Sequence, residues 1–330
     1  MSEKMSFPGE IIERGAAKGK GGHRAAERKL RYVIVNDNHT LKAALLIGLY
    51  AVIIGYTDNH VRVIANEIGL WQFHLMRTAM AAVALALAAP ILGLRLRPVN
   101  ARAVAARSAV HGVAMMCYFG ALGFLPVPQV SAGLFTAPIF VLLISRFVYG
   151  AQIGPVRMIA VGLGFAGVLM ILGPQVMNIG PAAAVPVLGG ALYALGNIAL
   201  REWCPQESAT TMTAGFFAAM GVFGLIGMGL TAAFNMPFEA GYLLRGPAWP
   251  SGTALWWIAV QAVGSLVAVG LMVRGYQLTE PSRASIFEYV ALPAAALWGW
   301  VLFGEAPLAR EWLGMGLIWL AGLLIVLRGR

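Results

Sequence analysis

From Leu41 onward, apolar residues come in runs of about twenty, interrupted by short turns of charged residues, proline or glycine. Charge-free stretches cover 108–145, 158–200, 208–238 and 246–272. A helix needs about 20 such residues to cross a bilayer, so each stretch accommodates one or two crossings. Reading the runs between their interruptions predicts ten helices at 41–64, 70–92, 104–124, 127–149, 155–173, 182–201, 210–233, 252–273, 281–303 and 308–327. Leu125-Pro-Val-Pro-Gln129 places two prolines between the third and fourth of these and reads as a turn, not as the middle of one long helix. The expected fold is an all-α integral membrane protein with ten transmembrane helices.

Composition agrees with this pattern. Of 330 residues, 59% are hydrophobic and 12% are Asp, Glu, Lys or Arg, where an ordinary soluble domain carries about 25% charged residues. Residues 1–40 stand apart, with eight Lys or Arg, five Asp or Glu, many glycines and no helical apolar run, and read as a disordered cytoplasmic tail. The net charge of +10 invites a nucleic-acid partner, but the basic residues are arranged as a topology signal. With the N-terminus inside, 20 of the 24 Lys and Arg lie on the cytoplasmic side, Arg107, Arg157 and Arg283 among them. Only Arg62, Arg245 and Arg310 fall outside, and Arg77 sits within a helix. That bias predicts a multi-pass protein of a bacterial inner membrane with both termini cytoplasmic, and no nucleic-acid partner.

The two halves end alike. Residues 138–173 and 293–327 each begin with a helical proline, close that helix on a glycine and continue, after a turn with another proline, into a helix rich in small residues. Gly150 and Gly304 match at an offset of 154, as do Gly162 and Gly316. Five helices per half is an odd number, so the second half enters the membrane from the other side. This is the pattern of two inverted-topology repeats, 41–173 and 182–327, which place a substrate site near the midplane and let access alternate. Because one chain holds both halves, a monomer is expected.

Gly304-Glu305 followed by Pro307, the lone Arg77 in the second helix and the ten-helix order resemble the drug/metabolite transporter superfamily, EamA-like branch. The resemblance covers about 41–327. It implies export of amino acids, including aromatic ones, or of other small metabolites. The first repeat departs from the pattern, with Gly150-Ala151 where the second keeps Gly-Glu.

Polar residues inside apolar helices are costly and mark cavities or helix ends. Glu288, with Tyr289 beside it and Pro293 one turn on, is read either as a cavity carboxylate that meets cargo or a proton, or as an acid at a helix N-terminus. In the first helix, Asp58 and Arg62 are four apart and suited to pairing, with Tyr56, Asn59 and His60 around them at a cavity mouth or an interfacial helix end. His74 and Arg77 share a face, and Arg77 offers a planar fork to a carboxylate, or neutralises Asp58 or a helix end. His111, Met115 and Tyr118 form a stripe that serves packing or a binding wall. Tyr193, Asn197, Trp257 and Gln261 complete the substrate-binding candidates, with an interfacial belt as the other reading of the tryptophans. Glycines at 162, 164, 167, 221, 224, 227 and 229 are read as helix packing. Cys117 and Cys204 give no disulfide or zinc spacing, and the histidines are scattered, so no metal, cofactor or enzymatic activity is expected. The expected function is a secondary exporter of small amphipathic metabolites, foremost amino acids, by alternating access at a central cavity, with proton coupling at Glu288 as an option. Its rivals are a transporter of another metabolite or drug-like cation, a membrane enzyme and a channel.

Overall fold

The computed structural model describes residues 39–177 and 180–328, without the Met177 side chain. The tail assigned to 1–40 lies outside this range except for its last two residues. The membrane-length helices are α1 (Thr40–Asn59), α2 (Leu70–Leu92), α3 (Ala101–Ala121), α4 and α5 (Val127–Leu134, Ala137–Phe147), α6 (Pro155–Leu172), α7 (Ala184–Glu202), α8 (Ala209–Ala233), α9 (Gly252–Leu278), α10 and α11 (Pro281–Phe287, Ala291–Phe303) and α12 (Ala309–Arg328).

Local chemistry sets the ends. Asn100, Ser208 and Ser251 cap α3, α8 and α9 by accepting the backbone N–H of Ala103, Thr211 and Ala254. Pro128, Pro155 and Pro281 stand in the first turns of α4, α6 and α10, where a missing N–H removes no helical bond. Gly93 and Gly304 end α2 and α11 in the left-handed conformation, at φ 61° and 72°.

Two crossings are interrupted, and proline explains both. Pro138 and Pro293 cannot donate to the carbonyls four residues earlier, and their rings crowd those carbonyls. One turn before each, the chain tightens to three-residue hydrogen bonds. Thr136 N–H donates to Gly133 C=O at 3.2 Å and Ile139 N–H to Thr136 C=O at 2.9 Å, between α4 and α5. Residues Glu288–Val290 form a 3-10 turn between α10 and α11.

The helix pairs come in matched sets. α1 lies against α9, and α3 against α7; α2 lies against α9, and α8 against α3; α1 lies against α11, and α7 against α4 and α5; α2 packs on α8 and α6 on α12. Exchanging the first five crossings with the last five turns this list into itself. The contacts also fix direction. Thr57 meets Gly264 and Ile47 meets Gly275, so α1 and α9 are antiparallel, while Gly133 and Gly190 bring α4 and α7 together in parallel. At α6 and α12 the contact is reciprocal: a Cβ on Gly167 would meet the Gly314 carbonyl, and one on Gly314 the Gly167 carbonyl at 2.6 Å. Small residues allow this backbone approach. By contrast, Gly162 and Gly229 face open space and pack against nothing.

Among the described residues, nine helical stretches are long and apolar enough to cross a membrane. The expected crossing absent from this set is α3. At 21 residues it is about 31 Å long, ample for a bilayer, but it carries Arg102, Arg107, Ser108 and His111. The last three are buried against protein. Arg107, counted from the sequence among the cytoplasmic charges, is a fully buried cation whose Nε donates to the Gly196 carbonyl at 3.1 Å. Arg157 and Arg283 also turn inward, toward Glu280; Arg157 Nη1 lies 2.5 Å from its carboxylate.

Candidate functional site

The break in the α10/α11 crossing positions Glu288. It stands seven residues after Pro281, about 10 Å into the segment, so the helix-end reading of this acid does not hold. Its carboxylate is buried against α7, where the Tyr193 hydroxyl donates to Oε2 at 2.8 Å and the Asn197 amide to Oε1 at 3.3 Å. Tyr193 and Asn197 are four apart on one face of α7. The Tyr276 hydroxyl lies against the same carboxylate without a well-aligned hydrogen bond. Arg107 comes next to Tyr193 and Tyr276.

A second polar group lies toward the far end of α1. Asp58 does not pair with Arg62. His60 ends α1, and Arg62, beyond it, reaches Glu305 at 2.9 Å with its guanidinium over the Phe303 ring. Asp58 instead accepts the Gln261 amide at 2.7 Å and lies in the field of Arg77. It has protein on every side and yet is exposed, so it borders a void within the bundle. Tyr50 and Tyr118 are likewise enclosed but only half-buried, and Tyr50 faces both Glu288 and Asp58.

Arg77 is buried between the Phe73 and Phe217 rings, 5.3 and 5.4 Å from their centroids, and its Nε and Nη2 have no partner. His74, one turn before it, is fully buried against Phe119 with both ring nitrogens unpartnered. Tyr242, in the turn between α8 and α9, stands near Arg77; burial holds its phenol above the ordinary value, against the pull of Arg77 and Arg245.

The remaining candidates sit elsewhere. Tyr56 packs edge-on against Trp298, and Trp257 stacks on His60 at 3.6 Å, so both belong to an aromatic cluster near the end of α1. The Asn59 amide clamps α1 to α11 by donating to the Gly55 and Ala295 carbonyls at 2.7 and 3.0 Å, and it lines a crevice of about 310 Å³ with Glu305 and Glu311. Tyr289 turns away from Glu288 and lays its ring on Gly164. His111 packs on Phe216 and touches Arg107 at 3.4 Å. Asp58, Tyr50, Tyr276 and Arg107 were not among the substrate-binding candidates. Of these four, Asp58 is the one the sequence marks, as an acid inside the predicted helix 41–64.

No group of His, Cys, Asp and Glu suited to a metal occurs among the described residues. What the arrangement offers is recognition: two carboxylates, two buried guanidiniums and several phenols inside the bundle. Residues 41–173 match the EamA-like transporter family. The chain carries an EamA-like transporter region. That region runs from α1 to the end of α6, and its family consists of transporters, not enzymes. A riboflavin transporter from Rhizobium johnstonii is 28% identical over 221 residues, covering 67% of this chain and 68% of its own. One from Vibrio cholerae is 28% identical over 197 residues, 59% of this chain and 60% of its own. A solved crystal structure of a protein shares the fold with a TM-score of 0.68 at 19% identity, over 87% of this chain and 98% of the other. The protein is thus a multi-pass membrane transporter.

Proposed function

We propose that this protein is a secondary transporter of a bacterial inner membrane that carries small heteroaromatic metabolites of the riboflavin kind by alternating access. Glu288 carries the proposal: a carboxylate placed at a helix break well inside the membrane, held by Tyr193 and Asn197 of its own half and faced by Tyr50 of the other. Broken helices meeting at the interface of two halves are where transporters build their sites. The matched helix pairs support ten crossings in two inverted repeats, with α3 as the crossing that hides its charges in protein. The distribution of Lys and Arg supports cytoplasmic termini.

The cargo reading shifts from amino acids toward flavin-like molecules for two reasons. The relatives described above are riboflavin transporters. The phenols of Tyr50, Tyr118 and Tyr193 offer ring faces and hydroxyls, which suit a flat ring bearing a polyol. Each half contributes to the path, so one chain suffices and the working unit is a monomer. Glu288 is also the position for a proton that accompanies cargo; shifting the pH on one side of a vesicle then changes the flux.

The test is counterflow in liposomes containing the purified protein. Preloading with unlabelled riboflavin accelerates entry of labelled riboflavin, because a carrier returns occupied, whereas a channel gives no acceleration. Acceleration by tryptophan and none by riboflavin would reject the flavin reading and restore the amino-acid one.

A further inference from the structure

Three groups beside Asp58 carry hydrogen-bonding capacity that the protein leaves unused. Arg77 is 4% exposed, and its unpartnered nitrogens are Nε and Nη2. Those two N–H groups lie parallel on one side of the guanidinium and form the fork that grips two adjacent acceptors. Gln261 is 2% exposed and donates Nε2 to Asp58, and a carboxylate accepts only, so the amide orientation is fixed and Oε1 is left over. That oxygen has no partner either. Buried donors and acceptors left unmade are costly, about 1–3 kcal/mol each and more when charged, and a binding site is the ordinary reason for such groups to persist.

Charge selects among ligands for the fork. A free carboxylate suits two parallel donors, but Asp58 already lies in the field of Arg77 and offsets its charge. A second anion would meet Asp58 as a like charge. A neutral pair of acceptors meets no such opposition. Asp58 borders the void and is linked to both partners, so a ligand approaches from its side.

We propose that Arg77 and Gln261 read one edge of the cargo's heteroaromatic ring, the fork taking two adjacent acceptors and the Gln261 carbonyl taking the N–H that follows them. This rests on the flavin reading above and sharpens it. The isoalloxazine ring presents this order: N5 and O4 as neighbouring acceptors, then N3–H. Arginine grips the N7 and O6 of guanine in the same bidentate way. The ribityl chain then points toward Tyr50, which faces both Asp58 and Glu288.

The experiment is equilibrium binding to the purified full-length protein, read by flavin fluorescence, with riboflavin, 5-deazariboflavin and tryptophan. 5-Deazariboflavin replaces N5 by C–H and keeps the rest of the molecule. Loss of one hydrogen bond to a charged donor weakens its binding about ten- to a hundredfold relative to riboflavin. Arg77→Lys keeps the charge but lacks the fork, so it binds the two flavins equally and weakly. Should that variant misfold, the wild-type comparison stands alone, and N3-methylriboflavin binding tenfold or more weakly than riboflavin supports the Gln261 contact. Equal affinity for riboflavin and 5-deazariboflavin would overturn the edge inference and leave the transporter reading intact. Competition by tryptophan that Arg77→Lys abolishes would show a carboxylate on the fork and overturn it as well. Absence of riboflavin binding would remove the flavin reading and this inference together.

Discussion

Gly164 gives the sharpest structural test of how the Glu288 group is held. A Cβ at this position would come to 2.6 Å from Tyr289 Cε2, whereas carbon atoms rest at about 3.5–4.0 Å. The ring must therefore retreat by about 1 Å. Tyr289 is fully buried and has the Phe135 ring beyond it, 6.2 Å between centroids, so retreat disturbs its neighbours. Gly164→Ala should lose about 1–3 kcal/mol through overpacking. Gly162→Ala, on the same helix and facing nothing, should gain up to about 1 kcal/mol from helix propensity. Tyr289 directly follows Glu288 in the 3-10 turn, so the displaced ring also turns the carboxylate away from Tyr193 and flux falls. The assay is thermal denaturation of both variants in detergent, with riboflavin flux in liposomes. Equal melting temperatures and equal flux for the two alanine variants would refute the packing argument.

Other perturbations separate the roles of the remaining groups. Glu305→Gln should change stability by no more than about 1 kcal/mol, and by less in high salt, because its pair with Arg62 is roughly half exposed on both sides; denaturation at two salt concentrations checks this. Tyr193→Phe should keep the fold but weaken cargo flux at least severalfold, since it removes the 2.8 Å donor to Glu288; initial rates in liposomes read it. The Tyr242 phenol is held above its ordinary value of 10.0, so the fold favours its protonated form. Its contribution is whole below pH of about 10 and is lost as pH rises from there through the folded value. Tyr242→Phe should flatten that alkaline part of the stability profile.

Much of the architecture was legible because the signals were local. Hydropathy runs place the helical stretches to within about five residues, but they read 127–149 and 281–303 as continuous helices with a proline inside, and the breaks before Pro138 and Pro293 appear only in the structure. The depth of Glu288 follows from the start of its helical stretch at Pro281. Partners were harder to read. The four-residue spacing of Asp58 and Arg62 suggested a pair, but the helix ends between them and Arg62 turns to Glu305, 243 residues later in the chain. The charge count places Arg107 on the cytoplasmic side, near the start of the predicted helix 104–124, and carries no sign of its burial; Asn100 as a cap starts α3 at Ala101 and sets Arg107 nearly two turns inside it. Trp256 and Trp257 are adjacent in sequence, yet one is 64% exposed on the bundle surface and the other stacks on His60, a difference set by helix rotation. Tyr50 and Tyr276 carried no signal, since an isolated tyrosine in an apolar run gives no hint of which carboxylate it faces.

The most direct measurement is saturable flux of radiolabelled riboflavin into liposomes containing either the wild-type protein or Glu288→Gln. The account predicts saturable flux in the wild type and at least a tenfold loss in the variant with its fold intact. Full flux in Glu288→Gln would contradict the placement of this carboxylate on the transport path.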